Sequence, residues 1–345
     1  MKTRITEMLG IQYPIFLSGM SWISVPEMVA AVSNAGGLGI LATGPLDKDT
    51  TRESIRRIRT LTDKPFGANA SLLFPGAKES ARVLLEEQVP VINFALGKGD
   101  WIVQEAHKYG GKVMATVVNA RHARRAEEYG CDAVIATGNE AAAHGEFVTT
   151  FCLIPSLVNA LSIPVIAAGG IADGRGLAAA LALGAEGIAM GTRFMTTKES
   201  PLHKNYKDLS LTKDVTDTLY SRRIDGLWCR VLKTDTAERA KRRGLDLPAA
   251  FFNAQDIAKT LHLPFHKLFI GVLLSGWKNT KQLAYLANAS KAFQLATEEG
   301  DLKKGVLPVG QCTGLIKDEP TVKELFDRMV QEAEGIEKRM AGIFA

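Results

Sequence analysis

The chain has 345 residues, 46% hydrophobic and 7% aromatic, enough to bury the core of one large domain or two small ones and too apolar for a disordered protein. Its net charge of +5 is dispersed, apart from a cluster at Arg239, Lys241, Arg242 and Arg243 that reads as a solvated helix face or a site for an acidic partner such as a nucleotide or carrier protein. No nucleic-acid partner is expected, and no apolar run approaches a membrane span.

Short apolar runs recur at 14–19, 38–44, 66–71, 91–96, 112–118, 132–138, 164–170 and 186–194, giving eight predicted strands. Segments with helical periodicity lie between them, at 25–34, 51–60, 78–88, 119–129 and 174–183 for example. Strands that alternate with helices and are apolar on both faces predict a parallel sheet covered on both sides. Eight such units in about 195 residues fit a closed (β/α)8 TIM barrel better than an open doubly wound sheet.

From 197 to 304 the repeat gives way to charged helical segments interrupted by Pro248 and Pro264, read as a helical accessory region over the barrel mouth. The run 307–315 (LPVGQCTGL) returns to small and apolar residues, and an amphipathic helix over 321–340, introduced by Pro320, is expected to dock back on the barrel. The predicted organisation is therefore a barrel of 1–196 and 305–345 with an accessory region of 197–304.

Cys131, Cys152, Cys229 and Cys312 are scattered, with no Cys/His spacing for a metal. Free thiols and the lack of a signal-peptide core after Met1 give the expectation of a cytoplasmic protein. The oligomeric state is left open.

The most informative stretch is 164–194, PVIAAGGIADGRGLAAALALGAEGIAMGTRF. Phosphate needs several backbone N–H groups converging without intervening Cβ atoms, and Gly169, Gly170 and Gly191 allow that approach. These glycines fall after strands seven and eight, where barrels commonly bind phosphate. The competing segment Gly36-Gly37-Leu38-Gly39 precedes its strand, so it is not a dinucleotide fingerprint, and there is no P-loop.

After strand six comes GNEAAAHGE, with His144 the only histidine at the C-terminal end of a predicted strand. Histidine titrates near neutral pH and can take or give a proton; the alternative is a hydrogen-bonded loop residue. Ser18-Gly19-Met20-Ser21-Trp22 ends strand one and can line a cofactor ring or fill core. Asn69 and Ser71 share one face of strand three, as ligand contacts or turn residues. Thr116 and Thr137 end strands five and six, facing a ligand or filling the barrel. Gln311, between Gly310 and Gly314, can reach a heterocycle or cap a turn.

Taken together, YPIFLSGMSW, AVSNAGGLGIL, PFGAN, GNEAAAHGE, PVIAAGGIADGRG, LGAEGIAMGTRF and VGQCTGL resemble the FMN-dependent nitronate monooxygenase family (2-nitropropane dioxygenases) and the related flavin-containing enoyl-acyl-carrier-protein reductase II. The resemblance spans most of the chain in the family's order. It implies a TIM barrel holding FMN without a covalent bond and acting on a small-molecule substrate. By motif, Gly19, Met20 and Ser21 would contact the isoalloxazine, with Asn69 or Ser71 nearby. Ala168, Gly169, Gly170, Gly191 and Thr192 would bind the phosphate, and Ala142 would lie against the flavin. His144 matches the family's active-site histidine.

The implied activity is oxidation of alkyl nitronates with O2, with NAD(P)H-dependent reduction of an enoyl thioester or quinone as the alternative. Inosine monophosphate dehydrogenase has a similar glycine-rich segment, but it needs a nucleophilic cysteine in the strand-six loop, where this chain has His144. One departure stands out: the family's E-A-G-G-H becomes Glu140-Ala141-Ala142-Ala143-His144, so any positive φ there would strain an alanine. The accessory aromatics Phe251, Phe252, Phe265, Phe269 and Trp277 are read as either a substrate pocket or core filling.

Overall fold

Each apolar run forms a strand in the computed structural model, which describes residues 1–74, 76–274 and 276–345. In chain order the strands are β1 (Ile15–Leu17), β2 (Leu38–Ala42), β3 (Phe66–Ser71), β4 (Val91–Ala95), β5 (Lys112–Val117), β6 (Ala133–Thr137), β7 (Val165–Ala168) and β8 (Gly187–Met190). All neighbours are parallel, and β8 closes on β1 with Phe16 opposite Ala189. The final predicted strand was drawn too long: it ends at Met190, and Thr192–Met195 is already helical.

Strand alternation sorts the core into two shells. Phe16, Leu38, Ile40, Val91, Met114, Ile135 and Ile166 fill the barrel interior, joined by Ile5 and Leu9 of α1 (Arg4–Leu9). Ile15, Leu17, Ile92, Val113, Val134 and Ile188 point outward into a larger cluster under the surrounding helices. Those helices are α2 (Pro26–Asn34), α3 (Lys48–Leu61), α4 (Ala77–Glu86), α5 (Asp100–His107), α6 (Ala120–Glu128), α7 (Thr150–Val158), α8 (Gly174–Ala182) and the short α9 (Thr192–Met195). The GGLG run finds its role here, because a Cβ on Gly39 would sit 2.2 Å from the Val29 carbonyl oxygen; glycine lets α2 lie directly on β2.

The accessory region carries α10 (Lys204–Leu211), α11 (Asp235–Arg243), α12 (Leu247–Thr260), α13 (Phe265–Leu274) and α14 (Trp277–Thr297). It also contains what the helical reading missed, an antiparallel hairpin of β9 (Thr218–Ser221) and β10 (Cys229–Leu232). The chain then returns through a 3-10 turn (Gln311–Leu315) to α15 (Val322–Phe344). A capping box of Thr321 and Glu324 starts α15, and buried Phe326 and Met329 seat it on the barrel. No described helix is long and apolar enough to cross a membrane.

Candidate active site

A cavity of about 720 Å³ opens at the C-terminal ends of the barrel strands. Barrel geometry brings Gly19, Met20, Ser21, Asn69, Ser71, Thr116, Thr137, Ala142, His144, Ala168, Gly169, Gly170, Gly191 and Thr192 to its wall. Gln311 is the one candidate that does not line it, although its neighbours Gly310 and Cys312 do. Its backbone N–H donates to the Glu140 carbonyl at 2.8 Å, so this residue ties the returning segment to the strand-six loop.

On one side the wall is almost all backbone. Gly169 and Gly170 have φ of 104° and 78°, a region L-residues avoid, and this turns their peptide groups over the end of β7. Gly191 precedes α9 with no side chain capping the helix, and a Cβ there would come within 3.2 Å of the Met20 sulfur. Thr192 Oγ1 accepts the Gly310 N–H at 2.8 Å, joining the strand-eight turn to the LPVGQCTGL segment. Glu140 accepts from Thr150 N–H and Oγ–H, both at 2.9 Å, and so fixes the loop against the start of α7.

The barrel floor opposite is polar. The Asn69 amide donates to Asn93 Oδ1 at 2.8 Å, and Asn93 donates to Thr116 Oγ1 at 3.1 Å. Ser71 Oγ–H donates to Asn69 Oδ1 at 3.2 Å, so the two β3 residues do share a face. Asn93 is 3% exposed and was passed over in the sequence; its signal was a lone amide inside the apolar run VINFA. Gly19 presses on this floor, since a Cβ there would lie 2.7 Å from Asn69 Cβ.

His144 stands at the mouth with a partner from far along the chain: its Nε2 lies 2.5 Å from Asp225 Oδ2. Asp225 is buried in the turn between β9 and β10, where its other oxygen accepts the Leu227 N–H at 3.0 Å. The hairpin also grips the loop backbone, with Ala143 N–H donating to Arg230 O and Arg230 N–H donating to Ala143 O. The Arg230 guanidinium donates to Asn139 O and Oδ1 at 3.0 and 2.7 Å, and Tyr220 O–H donates to Gly145 O at 2.5 Å. Burial pushes the Arg230 pKa down, partly offset by Tyr220 beside it.

Cys229 completes the cluster, with its ligand atom and those of His144 and Asp225 all within 4.8 Å of one another. Burial and then the Asp225 charge push its thiol pKa well up, so it stays protonated. Asp225 was not a sequence candidate, and only the Asp-Gly pair at 225–226 hinted at a hairpin turn. The anticipated strain is present: Ala143 has φ 52°, whereas Ala142 is not among the positive-φ residues.

The other sequence signals fall outside the site. Phe251, Phe252, Phe265 and Trp277 do not line the cavity, and the Phe269 side chain lies outside the described residues. Phe251 instead packs edge-on against Phe252 and Phe265. In the basic cluster Arg239 bonds Thr236 and Lys303 O, and Arg243 pairs with Asp246, as suits a helix C-terminus.

A closed (β/α)8 barrel with a glycine cradle after its last two strands and a buried carboxylate behind a histidine is built as an enzyme. The chain belongs to the nitronate monooxygenase family, whose profile matches residues 2–82 and 75–332, and it is an oxidoreductase of that family. It is 38% identical, over 96% of both chains, to (3aS,4S,5R,7aS)-5-hydroxy-7a-methyl-1-oxo-octahydro-1H-indene-4-carboxyl-CoA dehydrogenase of Rhodococcus jostii. It is 31% identical to a probable nitronate monooxygenase of Staphylococcus aureus, over 72% of this chain and 82% of the other. Among solved structures, FabK from Thermotoga maritima aligns over 99% of both chains with TM-score 0.82 and 36% identity.

Proposed function

We propose that the chain is an FMN-dependent oxidoreductase acting on a carboxyl-CoA thioester. The observation that carries the reading is His144 held by buried Asp225 at the mouth of a cavity of about 720 Å³, a size within the usual range for ligand sites. The accessory hairpin supplies that carboxylate, and the relative named as a CoA dehydrogenase matches this chain through the same region, over 96% of its length. FabK, an enoyl-ACP reductase II and so also a thioester enzyme, aligns equally fully.

The residues fit FMN. The Gly169–Gly170 turn and the Gly191 turn offer backbone N–H groups with no side chain in the way, so Ala168, Gly169, Gly170, Gly191 and Thr192 would hold the phosphate. Gly19, Met20, Ser21, Asn69, Ser71, Thr116, Thr137 and Ala142 would surround the ring. Bound there, FMN would supply two-electron chemistry, taking or giving a hydride equivalent.

The chain's own part is proton handling. His144 takes a proton from, or returns one to, the substrate carbon or hydroxyl beside the reacting bond. Asp225 holds the imidazole orientation and compensates its charge when it is protonated. The polar chain from Ser71 to Thr116 fixes which way the Asn69 amide faces.

An anaerobic titration tests the reading. The protein should purify yellow, and CoA thioesters should bleach it, or reoxidise it after reduction by NADH or NADPH. A colourless protein sinks the FMN assignment, and flavin indifferent to every thioester sinks the substrate class. Oxidation of alkyl nitronates is the second reading, favoured by the family match over most of the chain, and bleaching by a nitronate alone would select it.

A further inference from the structure

α6 is charged against the helix dipole in its first turn. Its sequence is ARHARRAEE, with Arg121 and His122 in the first turn, no acid there, and Glu127 and Glu128 at the end. Helices favour the opposite arrangement, by about 0.3–1 kcal/mol per charge. The first turn sits at the barrel mouth, because α6 follows β5; His122 from that turn and Arg125 from the last turn both line the cavity.

Across the opening the accessory hairpin adds Arg222, directly after β9. Its guanidinium and the His122 imidazole have no hydrogen-bond or ion-pair partner among the described residues, whereas Arg125 donates to the Tyr129 hydroxyl and to Glu128 at 3.3 and 3.4 Å. Among the described residues the only carboxylate lining this cavity is Glu146, which accepts from Asn119 Nδ2 at 3.1 Å. Two elements distant in sequence thus bring basic side chains to one cavity, and those of His122 and Arg222 are unpartnered among the described residues.

We propose that His122, Arg125 and Arg222 bind the phosphoryl groups of a coenzyme A thioester at the cavity mouth. This rests on the thioester reading above and says how the substrate's handle is held while its acyl end reaches His144. The shared chemistry is a phosphorylated adenosine diphosphate, which NADPH also carries. The three side chains line the cavity that His144 also lines, and this suits a slender nucleotide reaching into it better than a folded carrier protein.

Calorimetric titration of the flavin-loaded protein with coenzyme A tests it. Arg222→Gln should weaken binding about tenfold and Arg125→Gln/Arg222→Gln further, with a shallower loss of affinity on adding salt. Lys338→Gln, exposed on α15, should bind as wild type. Equal affinity of wild type and double variant for coenzyme A overturns the proposal. So does a loss confined to NADPH, or arginine-dependent binding of an acidic carrier protein with none of coenzyme A.

Binding is read apart from turnover. If no thioester alters the flavin yet coenzyme A affinity falls with the arginines, the functional reading fails and the rim assignment stands. If thioesters react but the variants bind like wild type, the rim assignment alone fails.

Discussion

His144 and Asp225, 81 positions apart in the chain, meet at 2.5 Å because the β9–β10 hairpin leans onto the strand-six loop. A buried carboxylate bonded to the imidazole fixes its ring and which nitrogen faces the substrate, so losing it costs proton transfer more than binding. Asp225→Asn is expected to lower kcat about a hundredfold with little change in KM, and His144→Ala to lower it at least as much. Stopped-flow flavin reduction measures both, with FMN content as the check that the fold survives. An Asp225→Asn variant with wild-type kcat would remove Asp225 from the chemistry.

Ala143 is held in the left-handed region by two backbone hydrogen bonds to Arg230, while its neighbour Ala142 has no such backbone. Substituting glycine should therefore act oppositely at the two positions. Ala143→Gly relieves about 1 kcal/mol of strain, partly offset by the freer unfolded chain, and should leave the melting temperature level or higher. Ala142→Gly gains nothing in the fold and should cost about 0.5–1 kcal/mol. Thermal melts of the two variants decide it; equal destabilisation would contradict the assigned backbone.

The barrel was legible because its signals are local. Runs such as Val91–Ala95 and Val165–Ala168 are apolar on both faces, and each is punctuated by glycine, so eight parallel strands follow from spacing alone. The glycine pairs at 169–170 and the lone loop histidine were legible for the same reason. Asp225 was not, since its role depends on a hairpin of four-residue strands, Thr218–Ser221 and Cys229–Leu232, set among helices. Asn93 was hidden differently: its position reads as core until Asn69 and Thr116 are brought beside it. The aromatics near Phe251 left pocket and core filling both open because apolar bulk carries no address; Phe251 packs on Phe252 and Phe265.

The Gly169–Gly170 turn makes a prediction about the cofactor alone. Gly170 has φ 78°, and its absent Cβ would have ordinary contact distances of 3.5 Å to Glu140, so space is available and backbone conformation is the obstacle. On the proposed FMN reading, Gly170→Ala should fold, with a cost of about 1–2 kcal/mol, and lose the flavin because the turn relaxes away from its N–H geometry. Gly191→Val should lose FMN for a different reason, as its side chain enters the cradle beside Met20. The measurement is the flavin absorbance ratio of the purified variants and their FMN affinity after reconstitution. Wild-type flavin content in both would place the phosphate elsewhere.

Asp318 gives an acid-side prediction. Arg193, buried immediately after Thr192, donates to Asp318 Oδ1 at 2.9 Å, and Arg328 donates to Oδ2 at 2.6 Å. Burial pulls the Asp318 carboxyl pKa upward, but the hydrogen bonds and charges of Arg328 and Arg193 outweigh it and hold it below the ordinary value. A carboxyl with a depressed folded pKa stabilises the fold above its unfolded pKa, and this contribution fades as pH falls through the folded value. Asp318→Asn should therefore cost stability at neutral pH, about 1–2 kcal/mol once the partial exposure of Asp318 is allowed for. Below roughly pH 4 the wild type should lose this advantage and the two melting curves should converge. Arg193 would then lack a charged partner in both proteins, and the strand-eight turn should loosen in both. Urea melts from pH 3 to pH 7 read the convergence directly; a gap that persists or widens in acid would show that the Arg193–Asp318 pair does not anchor this turn.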